Sequence, residues 1–355
     1  MDFKPNAMVL FLFFAGVFYA KDNLEVIKST NSAPEHHAVN GFVNPNLNQR
    51  DRGFKDVVRW MRERGEHPTW RSSLGVIPVA TPDRNLLFNP PDELVITWLG
   101  HSTLLIQLDG LNILTDPIFS ERCSPLQFMG PRRYTPAPLK VDELPPIDFV
   151  LISHNHYDHL DGSTVSALGN NVHWLVPLGL DTWFHQRGIQ EVTAMDWWDS
   201  VSWGSHTFVC TPAQHFSSRS FTDRNKTLWS SWTILGENQR VWFSGDTGYW
   251  NEIFQEIGER FGPFDLAAIP IGAYNPEWFM QPVHLIPEEA VQVYGELRAR
   301  YALGIHWGTF ILTDEPILEP PERLAKAALA AGLDPREFFT LLPGESRIIP
   351  AQTNH

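Results

Sequence analysis

At residues 149–159 the chain reads Phe149-Val150-Leu151-Ile152-Ser153-His154-Asn155-His156-Tyr157-Asp158-His159. The apolar run Phe149-Val150-Leu151-Ile152 has no polar interruption, the pattern of a strand buried on both faces, and Ser153 ends it. Three imidazoles and one carboxylate follow within six residues. These are donors suited to a borderline cation such as zinc. A loop separating His154 and His156 by one residue aims both rings at one ion, while Asp158 and His159 turn towards a second. A merely solvated histidine-rich loop would not follow a buried strand directly, and it would have no partners downstream.

Such partners stand singly at the ends of later apolar runs. They are His215 after Pro212-Ala213-Gln214, Asp246 within Ser244-Gly245-Asp246-Thr247-Gly248, and His306 within Gly304-Ile305-His306-Trp307-Gly308. In isolation Asp246 reads equally well as a turn or cap residue, and each histidine as a satisfied half-buried one. Together they complete two sets: His154, His156 and His215 for a first ion, Asp158, His159 and His306 for a second, with Asp246 bridging through its two oxygens. Asp116, just before Pro117, either holds the second nitrogen of a ligating imidazole or simply makes a turn. His101 follows a strand and reads as a supporting or core histidine, outside the site.

Outward from this centre, strands are expected at 94–99, 103–108 and 111–114, with Asp109-Gly110 making the tight hairpin between the last two. Further strands fit 174–176, 206–211, 229–235, 240–243, 266–270 and 302–305. A short helix fits 54–64, and another opens at Pro287 with Glu288 and Glu289 at its positive end and runs towards Arg300. A third covers about 322–331, stopped by Gly332. Strands joined both as hairpins and through helices make two mixed α/β sheets packed together, helices outside. One catalytic domain over residues 51–355 then follows a polar arm at 21–50 and a distinct segment at 1–20.

That first segment holds an apolar run at residues 7–20 between Lys4 and Lys21-Asp22, short for a membrane span and of signal-peptide length. Phe18 and Tyr19 occupy positions where a signal peptidase needs small side chains. An uncleaved anchor or interfacial segment therefore competes with a cleaved signal and with a buried helix. The location expected from this run is the membrane or cell envelope, with a peripherally bound cytoplasmic protein as the alternative. Residues 22–48 are polar and without hydrophobic period, and they read as a linker or mobile arm.

The net charge of −14, from 27 Lys and Arg against 41 Asp and Glu, comes with no basic run, which argues against a nucleic-acid partner while leaving room for a local basic pocket. Cys123 and Cys210 are the only cysteines and form no C-x-x-C spacing, so neither a thiolate metal site nor a disulfide framework is built. The Trp-rich stretch Trp197, Trp198 and Trp203 reads as core, or, if exposed, as a belt facing lipid.

The order H-x-H-x-D-H, then His, then Asp in a G-D-T-G turn, then His after a strand, resembles the metallo-β-lactamase superfamily, whose fold is a four-layer αββα sandwich. Within it, Trp98-Leu99-Gly100-His101-Ser102-Thr103, Leu114-Thr115-Asp116-Pro117-Ile118-Phe119 and Ile305-His306-Trp307-Gly308-Thr309-Phe310 resemble the N-acyl-phosphatidylethanolamine-hydrolysing phospholipases D. The likeness runs from about Asn89 to Pro350, and residues 7–20 and the arm after them lie outside it. It implies two zinc ions on His154, His156, Asp158, His159, His215, Asp246 and His306. It also implies Asp158 and His284 as catalytic residues, and Tyr157 and His284 as substrate contacts. The activity implied is a phosphodiesterase acting on a phospholipid or a small phosphodiester at a membrane surface, through water acidified between the two metals. The alternatives are a lactonase or β-lactamase-like hydrolase on the same donors, or a non-enzymatic, metal-stabilised envelope regulatory protein.

Overall fold

The computed structural model describes residues 24–29, 34–47, 54–64, 77–220 and 222–351. In chain order the strands are β1 (Val26–Ile27), β2 (His37–Ala38), β3 (Gly41–Phe42), β4 (Leu94–Gly100), β5 (Thr103–Leu108), β6 (Leu111–Thr115), β7 (Phe149–Leu151), β8 (His173–Pro177) and β9 (Val192–Met195). They continue with β10 (Ser200–Trp203), β11 (His206–Thr211), β12 (Ser231–Leu235), β13 (Arg240–Phe243), β14 (Leu266–Pro270), β15 (Tyr301–Ile305), β16 (Phe338–Phe339) and β17 (Ser346–Ile349). The helices are α1 (Phe54–Arg64), α2 (Arg84–Phe88), α3 (Gly162–Leu168), α4 (Asp181–His185), α5 (Asn251–Phe261), α6 (Glu277–Met280), α7 (Pro287–Glu296) and α8 (Glu319–Ala330).

Two mixed sheets face each other. One runs β17-β4-β5-β6-β7-β8-β9 and the other β1-β10-β11-β12-β13-β14-β15-β16. The period of two is visible along the first sheet. Leu94, Ile96 and Trp98 of β4 and Leu104, Ile106 and Leu108 of β5 point into the core between the sheets. Leu99, Leu105, Leu114, Val150, Ile152, Trp174 and Val176 point the other way, into a second core with Val165 and Leu168 of α3 and Phe184 of α4. Across the molecule Phe254, Ile257, Ala290, Val293 and Leu324 bring α5, α7 and α8 into the larger core. The result is an α/β sandwich with helices outside both sheets, the arrangement expected from the sequence. Trp232 of β12 crosses the interface and donates from Nε1 to the carbonyl of Ile152 at 2.9 Å. Trp197 is buried, and Trp198 and Trp203 are partly buried against the same core, so these three tryptophans are core and not a lipid-facing belt.

Strands β6, β7 and β8 run parallel in one sheet, and β13, β14 and β15 run parallel in the other. Their carboxyl ends open into loops that carry the chemistry, as is usual for such sheets. Several elements were not foreseen. Residues 346–349 become β17 through antiparallel pairing with β4, Ser346 opposite Thr97, a partner about 250 positions away that local sequence cannot reveal. The strand expected to begin at 229 begins at Ser231, because the Ser230 amide is turned to the carbonyl of Ser153 at the other sheet's edge, 2.9 Å away.

The stretch read as a linker or mobile arm is, over residues 34–47, packed on the domain: His36 and Asn44 are buried and bonded to distant residues. The expectation of membrane or envelope location through the N-terminal apolar run is also corrected. No helix among the described residues is long and apolar enough to cross a membrane, and residues 7–20 themselves lie outside the described residues.

Candidate metal centre

His154, His156, Asp158 and His159 lie in the loop directly after β7, where the last buried strand residue hands the chain to the sheet edge. His215 follows β11, Asp246 follows β13 and His306 follows β15 without a gap. Six separate stretches of chain therefore converge once His101, in the β4–β5 turn, and His284, between α6 and α7, are included. Asp116 holds its φ at 34°, His101 at 55° and His306 at 62°, a left-handed backbone that few non-glycine residues adopt and that Asp and His tolerate better than most.

His154, His156 and His215 present their ring nitrogens to one point. His154 Nε2 lies 2.8 Å from His156 Nδ1, and His215 Nε2 lies 3.3 Å from that same atom. The second set closes with His159 Nε2 at 3.2 Å from His306 Nε2, and Asp158 Oδ2 at 3.4 and 3.6 Å from these two nitrogens. Asp246 faces both sets: its Oδ2 is 3.2 Å from His159 Nε2, 3.7 Å from His215 Nε2 and 3.9 Å from His154 Nε2, and its Oδ1 is 3.1 Å from His306 Nε2. Two nitrogens held at about 2.1 Å by one tetrahedral zinc stand about 3.4 Å apart, so these spacings fit a shared cation better than they fit bonds between rings. Asp246 Oδ1 is buried and its 3.1 Å contact with His306 Nε2 lacks hydrogen-bond geometry, as expected of a carboxylate aimed at an ion.

The electrostatics agree. Burial and the neighbouring imidazoles push His154 well below its ordinary pKa, and burial lowers His156 to about 4, so these rings are neutral and offer lone pairs. Burial pushes Asp246 upward, but positive charge on His159 and His306 more than offsets this and holds it ionised. For His306 burial lowers the pKa, yet Asp246 and Asp158 carry it up to about 9. Buried carboxylates thus draw positive charge into the centre, the charge a divalent ion supplies.

Supporting bonds fix the rings. Asp116 accepts from His159 Nδ1 at 2.7 Å, from the Ser153 amide at 2.7 Å and from Ser153 Oγ at 2.5 Å. Ser153 Oγ also lies 2.9 Å from His154 Nδ1, so one carboxylate orients a ring in each set. His215 Nδ1 donates to the carbonyl of Val283 at 2.8 Å. Of the two readings of Asp116, the structure therefore favours the supporting one.

His101, left outside the site by the sequence reading, belongs beside it. Its Nε2 is 3.0 Å from Asp158 Oδ2, its ring centroid is 4.0 Å from that of His306, and its carbonyl accepts from the His306 amide at 3.0 Å. The signal that would have found it was the turn Gly100-His101-Ser102 directly after a buried strand. His284 lies at the rim, its Nδ1 buried without a hydrogen-bond partner and 4.0 Å from Asp246 Oδ2, with its ring 5.1 Å from His215 and 5.6 Å from His306. Tyr157 is turned aside: its phenol donates to the Arg219 carbonyl at 3.0 Å and the Arg219 guanidinium stacks over its ring. The ring lies against Ile118, Cys123 and Phe310, a small apolar cluster next to Asp158. Cys123 and Cys210 are both buried and free.

A β-lactamase superfamily domain model matches residues 111–307, more than half of the chain. The N-acyl-phosphatidylethanolamine-hydrolyzing phospholipase D 1 of Caenorhabditis elegans is 41% identical over 310 residues, covering 82% of this chain and 87% of that protein. The chain belongs to the metallo-β-lactamase superfamily, in its N-acyl-phosphatidylethanolamine-hydrolysing phospholipase D-like family. It is a hydrolase of the metallo-β-lactamase fold, and its donor clusters support a metal cofactor. The mitochondrial N-acyl-phosphatidylethanolamine-hydrolyzing phospholipase D of Saccharomyces cerevisiae is 39% identical over 248 residues, 68% of this chain but only 53% of that protein. Among solved structures, the metallo hydrolase Igni18 of Ignicoccus hospitalis superposes with a TM-score of 0.55 at 22% identity, over 72% of this chain and 97% of that one, a likeness of fold.

Proposed function

We propose that the protein is a two-zinc phosphodiesterase that hydrolyses N-acyl-phosphatidylethanolamine to phosphatidic acid and an N-acylethanolamine. The observation that carries the reading is Asp246, one buried carboxylate facing two three-donor sets at once. Its substrate half rests on the likeness to the nematode phospholipase D. Held by His154, His156 and His215 on one side and Asp158, His159 and His306 on the other, zinc would supply Lewis acidity towards a phosphoryl oxygen and acidify water near neutral pH.

The chain's own residues then have distinct tasks. Asp116 keeps His159 in one tautomer and, through Ser153, steers His154. His284, its pKa lowered to about 4 by burial, is a neutral imidazole at pH 7 with a free ring nitrogen at the rim. In this reading it donates to a phosphate oxygen or to the departing alkoxide as charge grows there. Tyr157 acts through its ring, as part of the apolar wall with Ile118 and Phe310, and not through its phenol. Water attacks phosphorus, the bond from phosphorus to the ethanolamide oxygen breaks, and that oxygen takes up the proton.

The test is hydrolysis of N-acyl-phosphatidylethanolamine in oxygen-18 water by the metal-loaded protein, with chelated protein as control. Label should appear in phosphatidic acid and none in the N-acylethanolamine. Ring opening of lactones or nitrocefin with no attack on this lipid or on simple phosphodiesters would overturn the substrate reading and leave the metal reading standing.

A further inference from the structure

Residues 34–47 pack against the loop that carries His215. Asn44, buried to 4% exposure, donates from Nδ2 to the backbone carbonyl of His215 at 2.8 Å. Asn46 donates to Gln214 Oε1 at 2.5 Å, and Gln214 Nε2 in turn donates to the Pro282 carbonyl, beside the Val283 carbonyl that holds His215 Nδ1. The Phe42 amide donates to the carbonyl of Asn225 at 2.8 Å, and the Asn225 amide donates to Ser217, two residues past His215. At Gly41, with φ at 140°, the backbone passes so close to Asn225 that an added Cβ would lie far inside contact distance of its carbonyl oxygen.

The segment is itself anchored away from the centre. His36 Nε2 and His37 Nε2 lie 2.7 and 2.8 Å from the two oxygens of Asp196, and the His36 ring stacks on Trp197 with centroids 4.2 Å apart. Asn44 also leaves its Oδ1 buried and unpartnered. A segment serving only to cover the surface would do better with an apolar side chain there, because an unpaired buried acceptor is unfavourable. What the carboxamide gains is a directed bond to the backbone of a ligand-bearing residue.

We infer that residues 34–47 are a positioning element of the metal centre, with Asn44 as the residue that sets the backbone of His215 and so the geometry of the His154, His156 and His215 set. The inference rests on the metal-centre reading above, and its site of action is one ion of the two. A bond that orients a ligand typically changes metal affinity about 10- to 100-fold when removed.

The test uses full-length protein, stripped of metal and titrated with Co²⁺ in competition with a chelator, the visible absorption counting bound ions. Asn44→Ala should weaken one of the two Co²⁺ ions by about 10- to 100-fold and leave the other at wild-type affinity, with thermal unfolding of the metal-free protein little changed. Asn46→Ala, a gentler change, should weaken the same ion by a smaller factor and carries the test if Asn44→Ala does not fold. Wild-type affinity for both ions in the two variants would overturn the inference. So would equal weakening of both ions together with a large fall in the unfolding temperature, which would make the segment a general brace. Wild-type protein that binds fewer than two ions would instead overturn the metal-centre reading itself.

Discussion

Asp246 and Asp116 are both buried aspartates at strand ends, yet their surroundings predict different consequences when each loses its charge. Asp246 faces four imidazoles from both donor sets, whereas Asp116 touches one ring directly and a second through Ser153. Asp246→Asn should therefore lower metal affinity and turnover at least about tenfold more than Asp116→Asn, which itself should lose about 10- to 100-fold. Metal analysis and initial rates on both variants check this, and equal mild losses would mean the shared position of Asp246 has no consequence. His284 makes a contrasting case, because its free Nδ1 sits at the rim. His284→Ala should keep the wild-type metal content while kcat falls about 10²- to 10³-fold, the size typical for one donor to developing charge. Loss of an ion in that variant would assign His284 to the ligands. At this scale His101 shows only its place in a turn after a buried strand, and its partner Asp158 lies 57 positions away.

The elements meet at the turn between β13 and α5 and at the end of β7. Gly245 has φ at 56°, and a Cβ placed there would run into the Ser153 side chain, which bonds both Asp116 and His154. Gly245→Ala should destabilise the fold by more than about 1 kcal/mol and weaken metal binding together, since strain and displacement act on the same residues. Chemical unfolding with and without metal measures both. At the N-terminal segment the electrostatic prediction has a sign. Burial raises the Asp196 pKa, but the bond and charge from His36 and His37 and the Trp197 amide outweigh it and leave it lowered in the folded protein. A lowered carboxylate contributes stability above its unfolded value, about pH 4, and loses it as pH falls through the folded value. Nearby Asp199, itself buried, pairs with Lys28 at 2.7 Å and accepts from the Asp196 amide at 2.9 Å. Metal-free wild-type protein and Asp196→Asn should then differ in stability at neutral pH and converge below about pH 4. A difference that persists undiminished in acid would refute the linkage.

For the whole molecule, the two sheets are joined at one rim by the candidate centre. β7 and its loop belong to one sheet, while β11, β13 and β15, which lead to His215, Asp246 and His306, belong to the other. An ion bound there would tie the halves of the sandwich together and would bind the native state far more tightly than the unfolded chain. Removal of metal by chelator should lower the unfolding temperature as well as abolish activity, and re-addition should restore both. Calorimetry with and without chelator decides it, and an unchanged transition would mean the halves are held by the core alone. Metal analysis of the active protein should return two ions per chain.

The donor types and their order were legible in the sequence, because a ligand loop directly after an uninterrupted apolar run is a local pattern: the loop after Phe149-Val150-Leu151-Ile152 needs no knowledge of distant residues. The long strands were legible for the same reason, through their apolar period. What the sequence left open was settled by pairings across the chain. Asp246 reads alone as a turn residue, and only the folding of β13 against β14 and of one sheet on the other turns it towards both donor sets. Likewise His101 meets Asp158 across 57 positions, β17 exists by pairing with β4, and Asn44 reaches His215 across 171 positions. The chemistry of each side chain is fixed by its covalent structure, whereas its partner, its burial and hence its protonation depend on contacts that form only when distant segments share a core.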